Sequence, residues 1–250
     1  MDEARLIPVE GLPEVTETLN IGTAIAERAE LGDGDVVAIS QKIVSKSEAR
    51  VVRLDQTDPG PEAVSLAGRT GKDPRLVEHI LRESRKLVRV DEQRGILITE
   101  TRHGFICANA GIDQSNTAGS DEAILLPLDP DGSARRIRVE LETASGTKTG
   151  VVITDSFGRA WRHGQVEVAI GCAGISPLDD WRGRNDQRGR ELSATVIAIA
   201  DQVAAASDLV RTKTAGVPAV IVRGLGRFVT EDDGPGCAAQ LRDADDDLFR

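Results

Sequence analysis

The sequence has few cysteines, and their spacing argues against folds stabilised by zinc or by disulfide bonds. Its 250 residues include 3 cysteines, namely Cys107, Cys172 and Cys237, which lie far apart and form no CxxC pair. A set this small, odd in number and scattered fits neither a zinc knuckle nor a disulfide framework. Cys107 and Cys172 lie in apolar runs, so we expect them to be buried thiols in a reducing compartment.

Long apolar runs and an export signal are also missing. No stretch of the sequence approaches the roughly 20 apolar residues that a membrane-spanning helix requires. The amino terminus, MDEARLIPVEG, has two acidic residues directly after Met1 and lacks the apolar segment of a signal peptide. We therefore expect a cytoplasmic protein that does not enter a membrane.

Lysine is scarce, and the charge balance is acidic. There are 31 Lys and Arg against 41 Asp and Glu, which gives a formal net charge of −10. An acidic, lysine-poor surface suits a salt-filled cytoplasm, because a Debye length of about 3 Å at 1 M salt screens carboxylate repulsion. We therefore predict a halophilic origin. The same charge argues against nonspecific binding to nucleic acid or to anionic membranes.

The order of the predicted elements favours an α+β fold. Apolar runs at residues 36–39 and in KLVRV, GILITET and GFICANAGID predict strands, the last three as a meander or hairpins. Helices are predicted at residues 21–31, 62–70 and 74–85, and a further helix capped by Ser133 runs to about residue 144. Strands and helices do not alternate regularly, so mixed or antiparallel sheets with flanking helices are favoured over a doubly wound sheet.

Domain organisation follows from the length and from the lack of a clear linker. We expect residues 1–250 to form one domain with a sizeable core, since hydrophobic residues make up 40% of the chain. From about residue 230 the chain becomes an acidic tail, which we expect to be solvated or partly ordered.

Two of the predicted strands end in a carboxylate. GFICANAGID delivers Asp113, and GVVITD delivers Asp155, which Ser156 follows at once. Carboxylate and hydroxyl oxygens at the rim of a sheet suit Mg²⁺ or Mn²⁺ better than zinc. The alternative is that Asp113 and Asp155 only cap turns, since residues 155–158 are also a reasonable turn signal. The residue pattern alone leaves both interpretations open.

Basic side chains form two further groups. Lys42 and Lys46 follow the strand at residues 36–39 and would share one face of a helix, where they can neutralise phosphates or form a solvated surface pair. Two arginine-rich segments, RAWRHG and WRGRNDQRGREL, predict an anionic substrate, with internal salt bridges as the alternative. The candidate substrate-binding arginines in these segments are Arg159, Arg162, Arg184 and Arg190.

The common nucleotide and hydrolase motifs are absent. GRTGKD resembles a Walker A sequence, but Asp73 follows the lysine where Ser or Thr is required. No GxGxxG follows a predicted strand, and neither GxSxG nor HExxH occurs. Any nucleotide must therefore bind at a non-standard site.

Eight segments between Pro8 and Leu225 together resemble the coenzyme F420-0:L-glutamate ligase family, the gamma-glutamyl ligases of deazaflavin cofactor biosynthesis. They are PVEGLP, QKIVSK, NAGID.SN, LLP.DPDGSA, GVVITD..GR..R.G, AIG.AGI, DW.GR.D..GREL and GVPAVIVRGL. The resemblance implies an α+β fold with two intertwined subdomains and a homodimer.

The resemblance also implies a reaction and its cofactors. The family uses GTP, Mg²⁺ or Mn²⁺, and a monovalent cation, K⁺. It joins L-glutamate to the lactyl carboxylate of F420-0 through an acyl phosphate and then adds a second glutamate through the gamma-carboxylate.

The site residues implied by the resemblance form two sets. Asp113, Asp155 and Ser156 match the metal ligands. The positions that match nucleotide contacts are Leu12, Pro13, Glu14, Val15, Gln41, Lys42, Lys46, Asn116 and Thr212. Some relatives have MGEG, with an acidic residue at the position of Thr212, where this chain reads VRTK. A second metal would therefore have fewer protein ligands here.

Two other functions are compatible with the same residues. A metal-dependent phosphohydrolase or nucleotidyltransferase would use the two carboxylates in the same way. A nonenzymatic anion-binding module would use only the arginine-rich segments. No residue stands out as the general base that would accept a proton from the glutamate amine.

Overall fold

The computed structural model describes residues 3–17, 19–115, 121–211 and 216–248 and has an α+β fold, as predicted. The strands are β1 (Arg5–Val9), β2 (Val36–Ser40), β3 (Val51–Arg53), β4 (Ser84–Asp91), β5 (Ile96–Thr101), β6 (Ile106–Ala108), β7 (Glu122–Ile124), β8 (Gly150–Arg159), β9 (Arg162–Ala173), β10 (Leu178–Asp180), β11 (Val196–Ala198) and β12 (Ala219–Arg223). The helices are α1 (Ile21–Ala26), α2 (Gln41–Ser47), α3 (Pro61–Thr70), α4 (Pro74–Arg82), α5 (Pro130–Ser145) and α6 (Ile199–Asp208).

A five-stranded mixed sheet in the order β1-β12-β2-β8-β9 lies at the centre of the fold. Strands β2 and β8 are parallel, and the other neighbours are antiparallel. Both faces of the sheet are covered, which explains why β2 and β8 read as continuous apolar runs. Val37 and Ile39 pack on the face that carries α1 and α5, whereas Val36 and Ala38 pack on the face that carries α6.

A three-stranded antiparallel sheet, β4-β5-β6, confirms the predicted meander. It has its own core, in which Leu97 of β5 meets Leu66 of α3 and Ile80 of α4. Two short pairs, β3-β7 and β10-β11, complete the strand pairing of the described chain. The division of residues 1–250 into two intertwined subdomains stays a prediction.

Several predicted boundaries were wrong. Helix α1 ends at Ala26 and α4 at Arg82, both earlier than predicted. Helix α5 starts three residues before Ser133, because Asp129 is its cap and accepts a hydrogen bond from the backbone N–H of Gly132. Ser133 is instead buried in the first turn, where its hydroxyl donates to Glu48.

The acidic tail packs partly against the central sheet. Cys237 is buried in the core on the α6 face, and Asp233 accepts a hydrogen bond from the buried guanidinium of Arg138. All three cysteines are free and buried, as expected for Cys107 and Cys172. Among the helices of the described ranges, none has the length and apolarity that a membrane crossing requires.

Candidate functional site

A cavity of about 820 Å³ opens where β2 stops and its parallel neighbour β8 continues. Its wall comes from residues far apart in the sequence, including the loop before α1, the first turns of α2, the segment after β6 and the middle of β8 and β9. Strand β2 is the shorter of the two parallel strands and ends here, whereas β8 continues. The loops beyond the end of β2 therefore leave a concave surface. Asp113, Asp155 and Ser156, the predicted metal ligands, all line this cavity.

A sharp turn after β6 carries Asp113 into the cavity. Asn109, Ala110 and Gly111 are consecutive residues with left-handed backbone, at φ values of 53°, 55° and 70°. For the two that are not glycine, this conformation costs on the order of 1–3 kcal/mol each. Such strain is typical of functional sites, and here it redirects the chain toward the cavity.

Asp113 is paired with Lys42 of α2. The Lys42 ammonium lies 2.7 Å from Asp113 Oδ2 and donates to the Ser115 hydroxyl, also at 2.7 Å. Asp113 Oδ1 accepts from the backbone N–H of Ser115 at 2.6 Å. Burial alone would raise the pKa of Asp113, but the hydrogen bonds from Lys42 and Ser115 lower it below its usual value. Asp113 is therefore a carboxylate at neutral pH.

Asp155 has the opposite environment. Its carboxyl group lies in β8, and burial together with the negative charge of Glu167 raises its pKa to about 8. Asp113 adds a smaller repulsion. Among the described residues Asp155 forms no salt bridge. The surroundings thus disfavour its charge.

The prediction that Asp155 ends a strand was wrong, and so was the alternative turn at residues 155–158. Strand β8 runs on to Arg159, because β9 pairs with it beyond the point where β2 stops. A register shift between Ile153 and Thr154 marks this point. Asp155 is therefore held by a continuous hairpin arm.

Glu167 and Arg211 also line the cavity. Sequence analysis missed Glu167, and Arg211 lies in the VRTK segment beside the predicted nucleotide contact Thr212, although no role was predicted for Arg211 itself. Glu167 lies opposite Ser156 in the β8–β9 register and accepts a hydrogen bond from its hydroxyl. Arg211 follows α6, and its Nη2 lies 3.5 Å from Glu167 Oε2. An acidic residue inside the apolar run VEVAIG was the available signal, since a buried carboxylate needs a partner.

The predicted nucleotide-binding residues divide into three groups. Residues 12–15, Lys42 and Lys46 line the cavity. Gln41 does not, because its side chain is fully buried and accepts from the Ser45 hydroxyl. Asn116 and Thr212 lie outside the described residues.

The candidate substrate-binding arginines lie elsewhere. Arg159 and Arg162 flank the exposed tip of the β8–β9 hairpin, where Arg159 Nη2 donates to the backbone of His163 at 2.9 Å. The Arg184 guanidinium lies 5.1 Å from the centre of the Trp181 ring, and Arg190 follows in the same exposed segment. Within the described wall of the cavity none of the four occurs, and their role in substrate binding stays a prediction.

The donor set fits a hard divalent cation. Asp113, Asp155 and Ser156 offer only oxygen atoms, which are the ligands that Mg²⁺ and Mn²⁺ prefer. The Asp113 carboxylate is held by Lys42 and by the backbone and hydroxyl of Ser115, so its position in the cavity is fixed. The raised pKa of Asp155 reflects a negative charge that a bound cation would stabilise.

A cavity that sets carboxylates beside two lysines has the groups needed to hold a divalent cation and to offset phosphate charge. The comparison with known families is more specific. The family model described as F420-0:Gamma-glutamyl ligase matches residues 11–224, and the chain belongs to this family.

Curated relatives match over most of their length. Coenzyme F420:L-glutamate ligase of Methanothermobacter thermautotrophicus is 46% identical over 98% of both chains. The protein of the same name from Methanopyrus kandleri is 46% identical over 98% of this chain and 97% of its own. That of Halobacterium salinarum is 43% identical over 86% of this chain and 85% of its own.

Proposed function

We propose that this protein is a GTP-dependent ligase that adds L-glutamate to coenzyme F420-0 in the biosynthesis of coenzyme F420. Family membership and the names of its relatives support the ligase class and the pathway. The single structural observation that carries the proposal is the cavity in which Asp113, Asp155 and Ser156 face Lys42 and Lys46.

In this proposal the residues of the cavity bind and orient the triphosphate. Asp113, Asp155 and Ser156 hold Mg²⁺ or Mn²⁺, which when bound offsets the phosphate charge and stabilises the transferring phosphoryl group. Lys42 and Lys46 of α2 offset the remaining negative charge. Residues 12–15 line the same cavity and contact the nucleotide.

The chemistry proposed is amide formation through an acyl phosphate. The F420-0 carboxylate takes the γ-phosphoryl group and GDP leaves; the glutamate amine then attacks the acyl carbon and phosphate departs. A second glutamate adds through the gamma-carboxylate in the same way. We further propose a requirement for K⁺, a homodimer and a location in the cytoplasm.

Mass spectrometry of the product tests this function. Incubation with F420-0, L-glutamate, GTP, Mn²⁺ and K⁺ should yield F420-0 carrying one and then two glutamyl units, with one GDP formed for each amide. Parallel reactions with ATP, without K⁺ and with chelator test each cofactor separately. Asp155→Asn should abolish product formation.

The same reaction mixture distinguishes the other candidate functions. A phosphohydrolase or nucleotidyltransferase would consume GTP equally well without glutamate and would leave the mass of F420-0 without a glutamyl gain. A simple anion-binding module would bind GTP and leave it intact.

A further inference from the structure

Glu167 is a buried carboxylate in the cavity wall, with only 7% of the residue exposed. It projects from β9 directly across from Ser156 of β8, and the Ser156 hydroxyl is hydrogen-bonded to its Oε1. An ionised carboxylate has no proton to give, so the hydroxyl must be the donor. The proton of Ser156 therefore points at Glu167, and the oxygen lone pairs point to other sides.

Arg211 forms an ion pair with the other oxygen of the Glu167 carboxylate. Its Nη2 donates to the hydroxyls of Ser207 and Thr154, at 2.7 Å and 2.9 Å, and lies 3.5 Å from Glu167 Oε2. Ser207 belongs to α6 and Thr154 to β8, so the guanidinium is fixed by two elements of the central fold. The Arg211 and Glu167 side chains are only 7% and 9% exposed.

A buried ion pair is a poor source of stability. Removing two charges from water costs several kcal/mol per ion, and apolar residues of similar volume are often equally stable in such a position. The β8–β9 hairpin is already held by its backbone pairing. The position of the pair behind Ser156 instead points to an orienting role at the cavity.

We propose that Glu167 and Arg211 are positioning residues that turn the lone pairs of the Ser156 hydroxyl toward the cavity, ready to coordinate a divalent cation. This inference rests on the proposed function, in which Ser156 is a metal ligand. Groups that hydrogen-bond to metal ligands fix the orientation of those ligands and raise their basicity, and losing them costs about 10–100-fold in metal affinity.

Titration of the nucleotide-free full chain with Mn²⁺ alone, followed by electron paramagnetic resonance of the free ion, tests this role. Glu167→Gln should weaken Mn²⁺ binding about tenfold in the wild-type background. In the Ser156→Ala background the same change should have a clearly smaller effect, because there is no hydroxyl left to orient. Arg211→Lys should bind Mn²⁺ more tightly than Arg211→Met, since lysine keeps the charge beside Glu167.

A matched control separates orientation from folding. Arg50 and Glu83 form a comparably buried ion pair at 2.8 Å, with side chains 16% and 11% exposed, away from the cavity. Glu83→Gln should lower the melting temperature as Glu167→Gln does, but it should leave Mn²⁺ affinity unchanged. Equal losses of Mn²⁺ affinity for both variants would overturn the inference.

Two other results would also overturn it. An equal loss in the wild-type and Ser156→Ala backgrounds would show that Glu167 acts on the ion directly and not through the hydroxyl. Unchanged Mn²⁺ affinity in Glu167→Gln would show that Glu167 does not orient the Ser156 hydroxyl for metal binding. If the wild-type protein itself binds no Mn²⁺, the metal site of the proposed function is wrong. This result is obtained before any variant is compared, so it is distinct from a failure of the positioning role.

Discussion

Asp155→Asn should stabilise the metal-free protein, although it should abolish activity. The pKa of Asp155 rises from 3.8 to about 8 because the carboxyl group is buried next to Glu167. An acid with a raised pKa destabilises the fold at every pH above its unfolded value. Asparagine has nearly the same shape and carries no charge, so it removes that penalty.

The size of the effect follows from the two pKa values. One pKa unit corresponds to about 1.4 kcal/mol, so the shift sets an upper limit of about 4 kcal/mol at pH 7. Asp155 opens on the cavity, where water screens part of the repulsion. We therefore expect a gain of about 1–2 kcal/mol, or roughly 2–8 °C in melting temperature for a chain of this size.

The pH dependence gives the sharper signature. Below the unfolded pKa of 3.8 both forms of the protein carry a neutral group at position 155, so the two melting temperatures should agree. The difference should grow with rising pH and level off above about 8, where wild-type Asp155 is ionised in the folded state as well.

Thermal unfolding in chelator between pH 4 and pH 9 measures this difference. Asp58→Asn is the matched control, because Asp58 is exposed and loses the same charge; its effect should stay within about 0.5 kcal/mol at all pH values. A melting temperature of Asp155→Asn below that of the wild-type protein at pH 8 would refute the reasoning. Adding Mn²⁺ should raise the melting temperature of the wild-type protein only.

Three further predictions concern packing, salt and the nucleotide. Gly22→Ala should destabilise the fold by at least about 1–3 kcal/mol in denaturant unfolding, because the new methyl group would lie 2.7 Å from the backbone oxygen of Ile137 in α5. Gly68→Ala is its control: the added methyl meets nothing within 4 Å in α3, and stability should rise by about 0.5–1 kcal/mol. If the acidic surface reflects halophilic origin, the melting temperature should rise steadily from low to molar KCl; a flat curve would contradict this. Lys42→Gln should raise the KM for GTP about tenfold or more, as expected when a charge-assisted hydrogen bond of about 1.5–3 kcal/mol is lost, and steady-state kinetics that show an unchanged KM would argue against a phosphate contact.

Features encoded by adjacent residues could be predicted from the sequence. The apolar run at residues 36–39 predicts β2, and the spacing of Lys42 and Lys46 predicts that they share one face if the following segment is helical, as α2 is. The meander of β4, β5 and β6 follows from three apolar runs separated by turn signals. Both depend on local periodicity, which survives folding because each element buries its own apolar side.

Features that depend on pairing between distant segments could not be predicted. The apolar part of β8 ends before Asp155, so sequence analysis ended the strand there, but hydrogen bonds from β9 carry it on to Arg159. Glu167 and Arg211 are separated by 44 positions and meet only because β9 and the end of α6 pack on the same sheet. Glu167 has no neighbour in sequence that marks it as part of a site, and Thr212 beside Arg211 gives no sign that Arg211 pairs with Glu167.

The charges of the cavity explain why the predicted cation site centres on Asp155. Lys42 pairs with Asp113 at 2.7 Å, and Arg211 lies beside Glu167. Asp155 is close enough to both carboxylates to be repelled by them, yet it has no salt bridge of its own within the described chain. Asp113 and Glu167 are thus each paired with a basic side chain, and Asp155 is left for a ligand. A cation bound at Asp155 would be stabilised by a cavity carboxylate whose charge burial and neighbouring acids disfavour. The same arrangement accounts for the expectation that Asp155→Asn strengthens the fold and removes the function.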